Sequence, residues 1–394
     1  MSESGRDVVW PLMSNNITSE DRNALIDFLH DDNRLTHGKK VEEFEKRWSD
    51  WLGVSYSVFV NSGASANDIS MHIVRQMFGE GEVIVPPLTW VSDISSIIHA
   101  KLTPVFVDIN SCSLGLDSKE IKKKINKNTK AIFLTHILGL NGMDQEIRDI
   151  SIDEGIPIIE DVCESHGAKW KNQKLGTFGL MSNFSFYYAH HMTTIEGGMI
   201  CTNSEEVYNF ARMFRSHGMT REVKNDEFRL RVIEENPDLN PDFIFYVAAH
   251  NMRPTELGAV VGISQLPRLD SNIERRNRNF DEFLAELDPN RFKVDFFTEG
   301  CSNYALILVL RNPDLTLRDK VENVLRENGI EFRRGLSGGG NQIRQPYIKR
   351  LNMNLHPEQF PNADFVHHFG WYIGNYPDLE ISRIKNLCRL VNNC

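Results

Sequence analysis

The chain has 394 residues, 41% hydrophobic and 25% charged, and its 44 Lys and Arg against 54 Asp and Glu leave a formal charge of −10. That composition excludes a disordered, collagen-like or disulfide-stapled chain, and the length suits two domains of roughly 100–200 residues each. An acidic balance argues against binding to nucleic acid or to an anionic membrane, which both need basic surface.

Cys112, Cys163, Cys201, Cys301, Cys388 and Cys394 form no CxxC pair, which suits a reducing compartment. The opening residues MSESGRDVVWPL lack the basic-then-apolar order of a leader. No apolar run reaches the roughly 20 residues of a membrane span. The expectation is a soluble, cytoplasmic protein with neither nucleic-acid nor membrane partners.

Thr18-Ser19-Glu20-Asp21 predicts a helix start, with Leu25, Ile26, Phe28 and Leu29 along its apolar face. Tyr56–Val60 reads as a strand ending at Asn61-Ser62-Gly63-Ala64-Ser65, before a helix carrying Ile69, Ile73 and Met77 four residues apart. Residues 83–85, 104–108, 131–134, 156–160 and 198–202 are further buried-strand candidates. Strand and helix alternating at this spacing predict an α/β fold, a mostly parallel sheet with helices on both faces. After Gln265 the pattern changes: strand 305–310, helix 317–326, strand 330–332, a glycine-rich stretch from Ser337 to Asn341, and a closing helix 381–391. The expected organisation is an N-terminal arm and large domain over 1–265 and a smaller α+β domain over 266–394.

Four segments carry chemistry. Ser62-Gly63-Ala64 opens a helix, where free N–H groups and the positive helix end can hold an anion; a tight connection that merely needs glycine is the plainer reading. Asp161 closes a buried strand, at the edge where α/β sheets place ligands, and such a carboxylate can pair with a pyridinium nitrogen. It can equally cap a turn. The third segment runs Ser185-Phe186-Tyr187-Tyr188-Ala189-His190-His191 to Glu196-Gly197-Gly198. A metal pair there would need a third ligand, and adjacent residues on a strand face opposite ways. Asn251-Met252-Arg253-Pro254-Thr255-Glu256 is the fourth, by itself a capping turn into a helix.

Together these stretches resemble the DegT/DnrJ/EryC1/StrS family of sugar aminotransferases, with supporting matches from Trp10 to Asn375. That family reads S-F-x-x-x-K and then E-G-G, and its lysine binds pyridoxal 5′-phosphate covalently. Here His190 stands in the lysine's place, and no lysine lies between Lys174 and Lys224. Imidazole cannot make that covalent bond, yet it can move a proton near neutral pH. The exchange is similar to that in the lysine-less 3-dehydratases of deoxysugar biosynthesis.

The resemblance implies a fold type I enzyme that holds pyridoxal 5′-phosphate or pyridoxamine 5′-phosphate non-covalently, with glutamate as amino donor. It implies His190 as the proton-transfer residue and Glu164 as its helper, with His166 the other candidate. It implies cofactor contacts from Gly63, Ala64, Trp90, Asp161 and Ser185, and from Asn251 across a homodimer interface. The dehydratases carry a hydroxyl residue where this chain has Ala64. The implied substrate is a nucleotide-linked 4-keto-6-deoxy sugar, with GDP and CDP both open, and the product its 4-keto-3,6-dideoxy form. Arg215, Arg221, Arg333 and Arg334 are candidates for the nucleotide by family position. Three alternatives stand beside this reading: an iron–sulfur-dependent CDP-sugar type, for which no cysteine cluster is seen; an aminotransferase, which His190 disfavours; and a non-catalytic sensor.

Overall fold

The computed structural model describes residues 8–394, so the first seven residues of the stretch read for a leader lie outside it. The large sheet is built from β1 (Tyr56–Val60), β2 (Glu82–Val85), β3 (Thr103–Phe106), β4 (Thr129–Thr135) and β5 (Ile158–Asp161). After a short hairpin, β6 (Lys169–Trp170) and β7 (Gln173–Lys174), it is completed by β8 (Met181–Ser185) and β9 (Gly198–Thr202). Its order is β1-β9-β8-β5-β4-β2-β3. Five of these strands run parallel as neighbours, from β3 through β2, β4 and β5 to β8, while β9 runs antiparallel to both β8 and β1.

Side chains alternate across a strand, and the apolar runs here serve both faces. Val58, Val60, Val83, Val85 and Phe133 belong to one buried cluster, whereas Phe59, Ile84, Ile132 and Leu134 belong to the other. The crossovers from β2 to β3, β3 to β4 and β4 to β5 return through helices and that from β5 to β8 through the β6–β7 hairpin, so the parallel β2, β4, β5 and β8 all end at one edge of the sheet. That edge carries the site.

A second sheet of β10 (Ala305–Val309), β11 (Phe332–Arg334) and β12 (Gly370–Gly374) has the antiparallel order β10-β12-β11. Helices Leu315–Glu327, Pro361–Phe369 and Ile381–Asn392 accompany it. Trp10 joins this unit, donating Nε1–H to the Gly374 carbonyl at 2.9 Å and bridging Ile330. That bridge displaces the strand expected at 330–332, which begins instead at Phe332.

Helix Ser19–His30 starts where the sequence predicts, with a Thr18–Asp21 capping box. Its expected apolar face is not buried: Ile26 and Leu29 are each 52% exposed. The inward side instead buries Asp21, which accepts from Ser264 Oγ at 2.6 Å and pairs with Arg268. Strand β8 is a polar Met-Ser-Asn-Phe-Ser run that periodicity does not flag, yet every residue of it is buried. Ser182 donates to the Gly176 carbonyl and Ser70 donates to Asn183 Oδ1, both at 2.7 Å, which offsets part of the burial cost, although Asn183 Nδ2 has no partner. No helix among the described residues is long and apolar enough to cross a membrane.

Candidate active site

A cavity of about 460 Å³ opens at the carboxyl edge of the large sheet. Gly63, Ala64, Trp90, Asp161, Glu164, Ser185 and His190 all line it. Of the eight residues expected to act in proton transfer or to touch the cofactor, seven thus meet in one place; Asn251 does not.

Gly63 is the first residue of helix Gly63–Phe78, whose N-cap Ser62 accepts the Ser65 N–H at 3.1 Å. Among the described residues the N–H groups of Gly63 and Ala64 find no protein acceptor. A Cβ on Gly63 would stand 2.6 Å from Ser185 Cβ, so only glycine lets the end of β8 lie against this helix start. The result is a cradle of free N–H groups beside the Ser185 hydroxyl, at the positive end of a 16-residue helix. Trp90, the residue before helix Val91–His99, is 55% exposed at the same cavity.

Asp161 ends β5 and is buried. Its Oδ1 accepts the Cys163 N–H at 2.8 Å and its Oδ2 accepts from Asn67 Nδ2 at 2.9 Å. The buried ion pairs of the described residues lie elsewhere, at Arg215–Glu45, Arg268–Asp21 and His136–Glu160. Asp161 is therefore a buried carboxylate awaiting a cation.

His190 and His191 sit in the loop between β8 and β9, not on a strand as the sequence reading supposed. His190 Nδ1 donates to the Cys163 carbonyl. That bond fixes the tautomer and leaves Nε2 with its lone pair. Burial pulls the imidazole down to about 4, so it is neutral at pH 7 and ready to take a proton. The Tyr304 ring lies 5.3 Å away, centroid to centroid. His191 is fully enclosed, with Nε2 against the Ser302 carbonyl at 3.0 Å.

Glu164 accepts the Leu138 N–H and the Ser337 hydroxyl, each at 2.9 Å. Burial, reinforced by the nearby Asp161 charge, pushes its carboxyl up to about 7. Ser337 belongs to the glycine-rich stretch, so this contact ties the small unit to the cavity wall. His166 does not line the cavity, and both its ring nitrogens are buried without partners.

Three of the four candidate arginines are elsewhere. Arg215 is fully buried against Glu45 at 2.6 Å, Arg221 lies over Phe243, and Arg334 pairs with Glu322 at 3.3 Å. Arg333 alone of the four lines the cavity. Asn251 is exposed on the surface, its Oδ1 taken by Arg253 Nε–H at 3.0 Å. Sequence reasoning missed Tyr304 and Tyr372, which come from the small unit and carry no local motif, and marked Ser337 only as the start of a glycine-rich stretch.

Pyridoxal phosphate needs an anion cradle, a carboxylate for its ring nitrogen and a flat apolar cover. The free N–H groups at Gly63 and Ala64, the unpaired Asp161 and the exposed Trp90 supply these, so the residues present fit the group.

Residues 15–392 match the DegT/DnrJ/EryC1/StrS aminotransferase family. A GDP-4-keto-6-deoxy-D-mannose 3-dehydratase of Yersinia pseudotuberculosis is 31% identical over 390 residues, covering 97% of this chain and 98% of its own. A GDP-perosamine synthase of Vibrio cholerae is 27% identical over 391 residues, covering 97% and 98%. Among solved structures, the E. coli GDP-4-keto-6-deoxy-D-mannose-3-dehydratase with bound hydrated PLP matches with a TM-score of 0.86 at 28% identity, over 98% of this chain and 100% of that one. A GDP-4-keto-6-deoxymannose-3-dehydratase with a trapped PLP–glutamate geminal diamine gives 0.87 at 28%, over 97% and 100%.

Proposed function

Since the chain belongs to the DegT/DnrJ/EryC1/StrS aminotransferase family, we propose that it is a pyridoxal-phosphate-dependent 3-dehydratase acting on a nucleotide-linked 4-keto-6-deoxyhexose, with GDP as the nucleotide. The carrying observation is His190, a neutral, cavity-lining imidazole at the position where the aminotransferases of this family hold a lysine. Glutamate is the amino donor and a homodimer the working unit. Residues up to 265 comprise an N-terminal arm, whose Trp10 packs on the smaller unit, and the large cofactor domain, while 266–394 form the smaller domain, which closes the cavity with Arg333, Ser337 and Tyr372.

Gly63, Ala64 and Ser185 would hold the cofactor phosphate, with Asn251 of the partner subunit; Asp161 would pair with the ring nitrogen and Trp90 would cover the ring. When bound, the protonated ring supplies an electron sink for a pair released beside its exocyclic nitrogen. His190 Nε2 takes up a proton from the bound reactant. The imidazolium so formed is disfavoured by the same burial that lowers its pKa, which drives it to give the proton to the departing C3 oxygen. That oxygen leaves as water. Nδ1 stays on the Cys163 carbonyl, so Nε2 makes both transfers. Glu164, poised near neutrality, orients that water or donates in turn. Arg333 meets the diphosphate. Overall, glutamate is oxidised to 2-oxoglutarate and ammonia while the C3 alcohol is reduced to a methylene.

Mass spectrometry of the sugar product tests this reading, with cofactor, glutamate and GDP-4-keto-6-deoxymannose supplied. A product one oxygen lighter with 2-oxoglutarate formed is expected. An amino sugar would refute dehydration, and no turnover in either channel would leave a sensor. His190→Lys should shift the site toward amine transfer and covalent cofactor. Full dehydratase activity in that variant would sink the role given to His190.

A further inference from the structure

Behind Asp161 lies a second carboxyl group that neither the sequence reading nor the proposed mechanism uses. Asp93, in the first turn of helix Val91–His99, is completely buried. Its Oδ2 accepts from Thr135 Oγ1 at 2.6 Å and from Thr89 Oγ1, while its Oδ1 accepts from Asn67 Nδ2 at 2.8 Å. The same Asn67 nitrogen reaches Asp161 Oδ2 at 2.9 Å and Ser92 Oγ at 3.1 Å. One amide nitrogen with two hydrogens thus faces three acceptors, two of them on carboxyl groups. None of the buried ion pairs described above includes Asp93.

Two buried carboxylates joined through one donor and lacking a cation cannot both ionise. Asp161 borders the cavity and takes a backbone N–H, whereas Asp93 touches no solvent. The proton therefore rests on Asp93. We propose that Asp93 is a positioning residue of the cofactor site, a neutral carboxyl group that sets Asp161 through Asn67 and leaves a single negative charge facing the ring nitrogen. This inference rests on the reading that Asp161 serves that nitrogen.

The direction of the shift agrees. Burial, then the Asp161 charge, raises the Asp93 carboxyl well above the usual carboxylate range. A carboxyl raised in the fold keeps its proton there and releases it on unfolding. The stability it contributes is whole below its unfolded pKa and falls as pH rises toward the folded value.

Asp93→Asn is the test, because the amide preserves shape and neutrality. Its nitrogen can donate to the Thr89 and Thr135 hydroxyls while its oxygen accepts from Asn67. In the cofactor-free protein the melting temperature of the variant relative to wild type should rise from pH 5 to pH 9, by about 2–4 °C. Its affinity for pyridoxal 5′-phosphate should stay within about threefold, while Asp93→Ala, which leaves Asn67 unset, should bind at least about tenfold more weakly. A melting offset that is destabilising and constant with pH would mean an ionised Asp93 and overturn the proposal. Equal affinity in all three proteins would overturn it as well. Asp161→Asn serves as the reference: wild-type affinity there would defeat the ring-nitrogen assignment, while the melting comparison at Asp93 needs no cofactor and is read separately.

Discussion

Gly63→Ala places the sharpest strain on the phosphate cradle. The new methyl would stand 2.6 Å from Ser185 Cβ, 3.0 Å from Ser185 Oγ and 3.1 Å from Cys163 Sγ. Carbon contacts are most favourable at about 3.5–4.0 Å, so helix start and strand end must part by about 1 Å. The closest contact is to Ser185 Cβ, which the backbone of a fully buried strand fixes, so turning the hydroxyl into the cavity does not relieve it. Over-packing of this kind costs about 1–3 kcal/mol, and the strain falls between the two elements that would hold the phosphate. Expressed wholly as lost affinity, it raises the Kd for pyridoxal 5′-phosphate about 5- to 150-fold. Ala64→Ser is the companion variant. Residue 64 is exposed at the same cavity, so the hydroxyl adds a donor without crowding and the Kd should hold or fall. Quenching of tryptophan fluorescence on titrating apoprotein reads both, with melting curves to verify the fold. Binding by Gly63→Ala within twofold of wild type, at an unchanged melting temperature, would refute the cradle.

Glu164→Gln should invert the pH trend of stability. The folded carboxyl at about 7 lies above the roughly 4.3 of a free glutamate. The stability from this group is complete below that lower value and declines as pH rises to about 7, by about 3–4 kcal/mol. Glutamine keeps both hydrogen bonds without this decline, so its melting temperature should overtake wild type above about pH 6; parallel curves would remove Glu164 as a buried acid. Asn251 is testable by mixing subunits. Asn251→Ala and His190→Ala chains, inactive alone, should recover about a quarter of wild-type sites when randomly paired, because one site of each mixed dimer is complete. No recovery on mixing would confine Asn251 to its own chain.

Much of this architecture was legible because the relevant signals are local. Tyr56–Val60 and Gly198–Thr202 are strands within their expected bounds, and the turn at Gly63, the end of the strand at Asp161 and the His190 segment bring their residues to one cavity. What escaped depends on distant contacts. Strand β8 hides behind polar side chains whose partners, such as Ser70 and the Gly176 carbonyl, are invisible from its own residues. In Ser19–His30, Ile26 and Leu29 of the apolar stripe are exposed and Leu25 and Phe28 only half-buried, while Asp21 is drawn in by Arg268. Arg215 is spent on Glu45, a partner 170 residues away, and so is not free for a nucleotide. Tyr372 reaches the cavity on β12, set there by the antiparallel pairing with β10, and Tyr304, just ahead of β10, is held by its N–H on the Leu138 carbonyl at 3.0 Å.

Cys163 has a consequence unrelated to its sulfur. Its N–H is held by Asp161 and its carbonyl is held by His190, so one residue's main chain clamps both ends of the reacting system. The distance between the carboxylate that faces the ring and the imidazole that shuttles the proton is thereby set by covalent geometry rather than by rotamers. Any side chain that fits at 163 leaves that ruler intact, whereas a shift of this turn by a fraction of an ångström would detune both groups together.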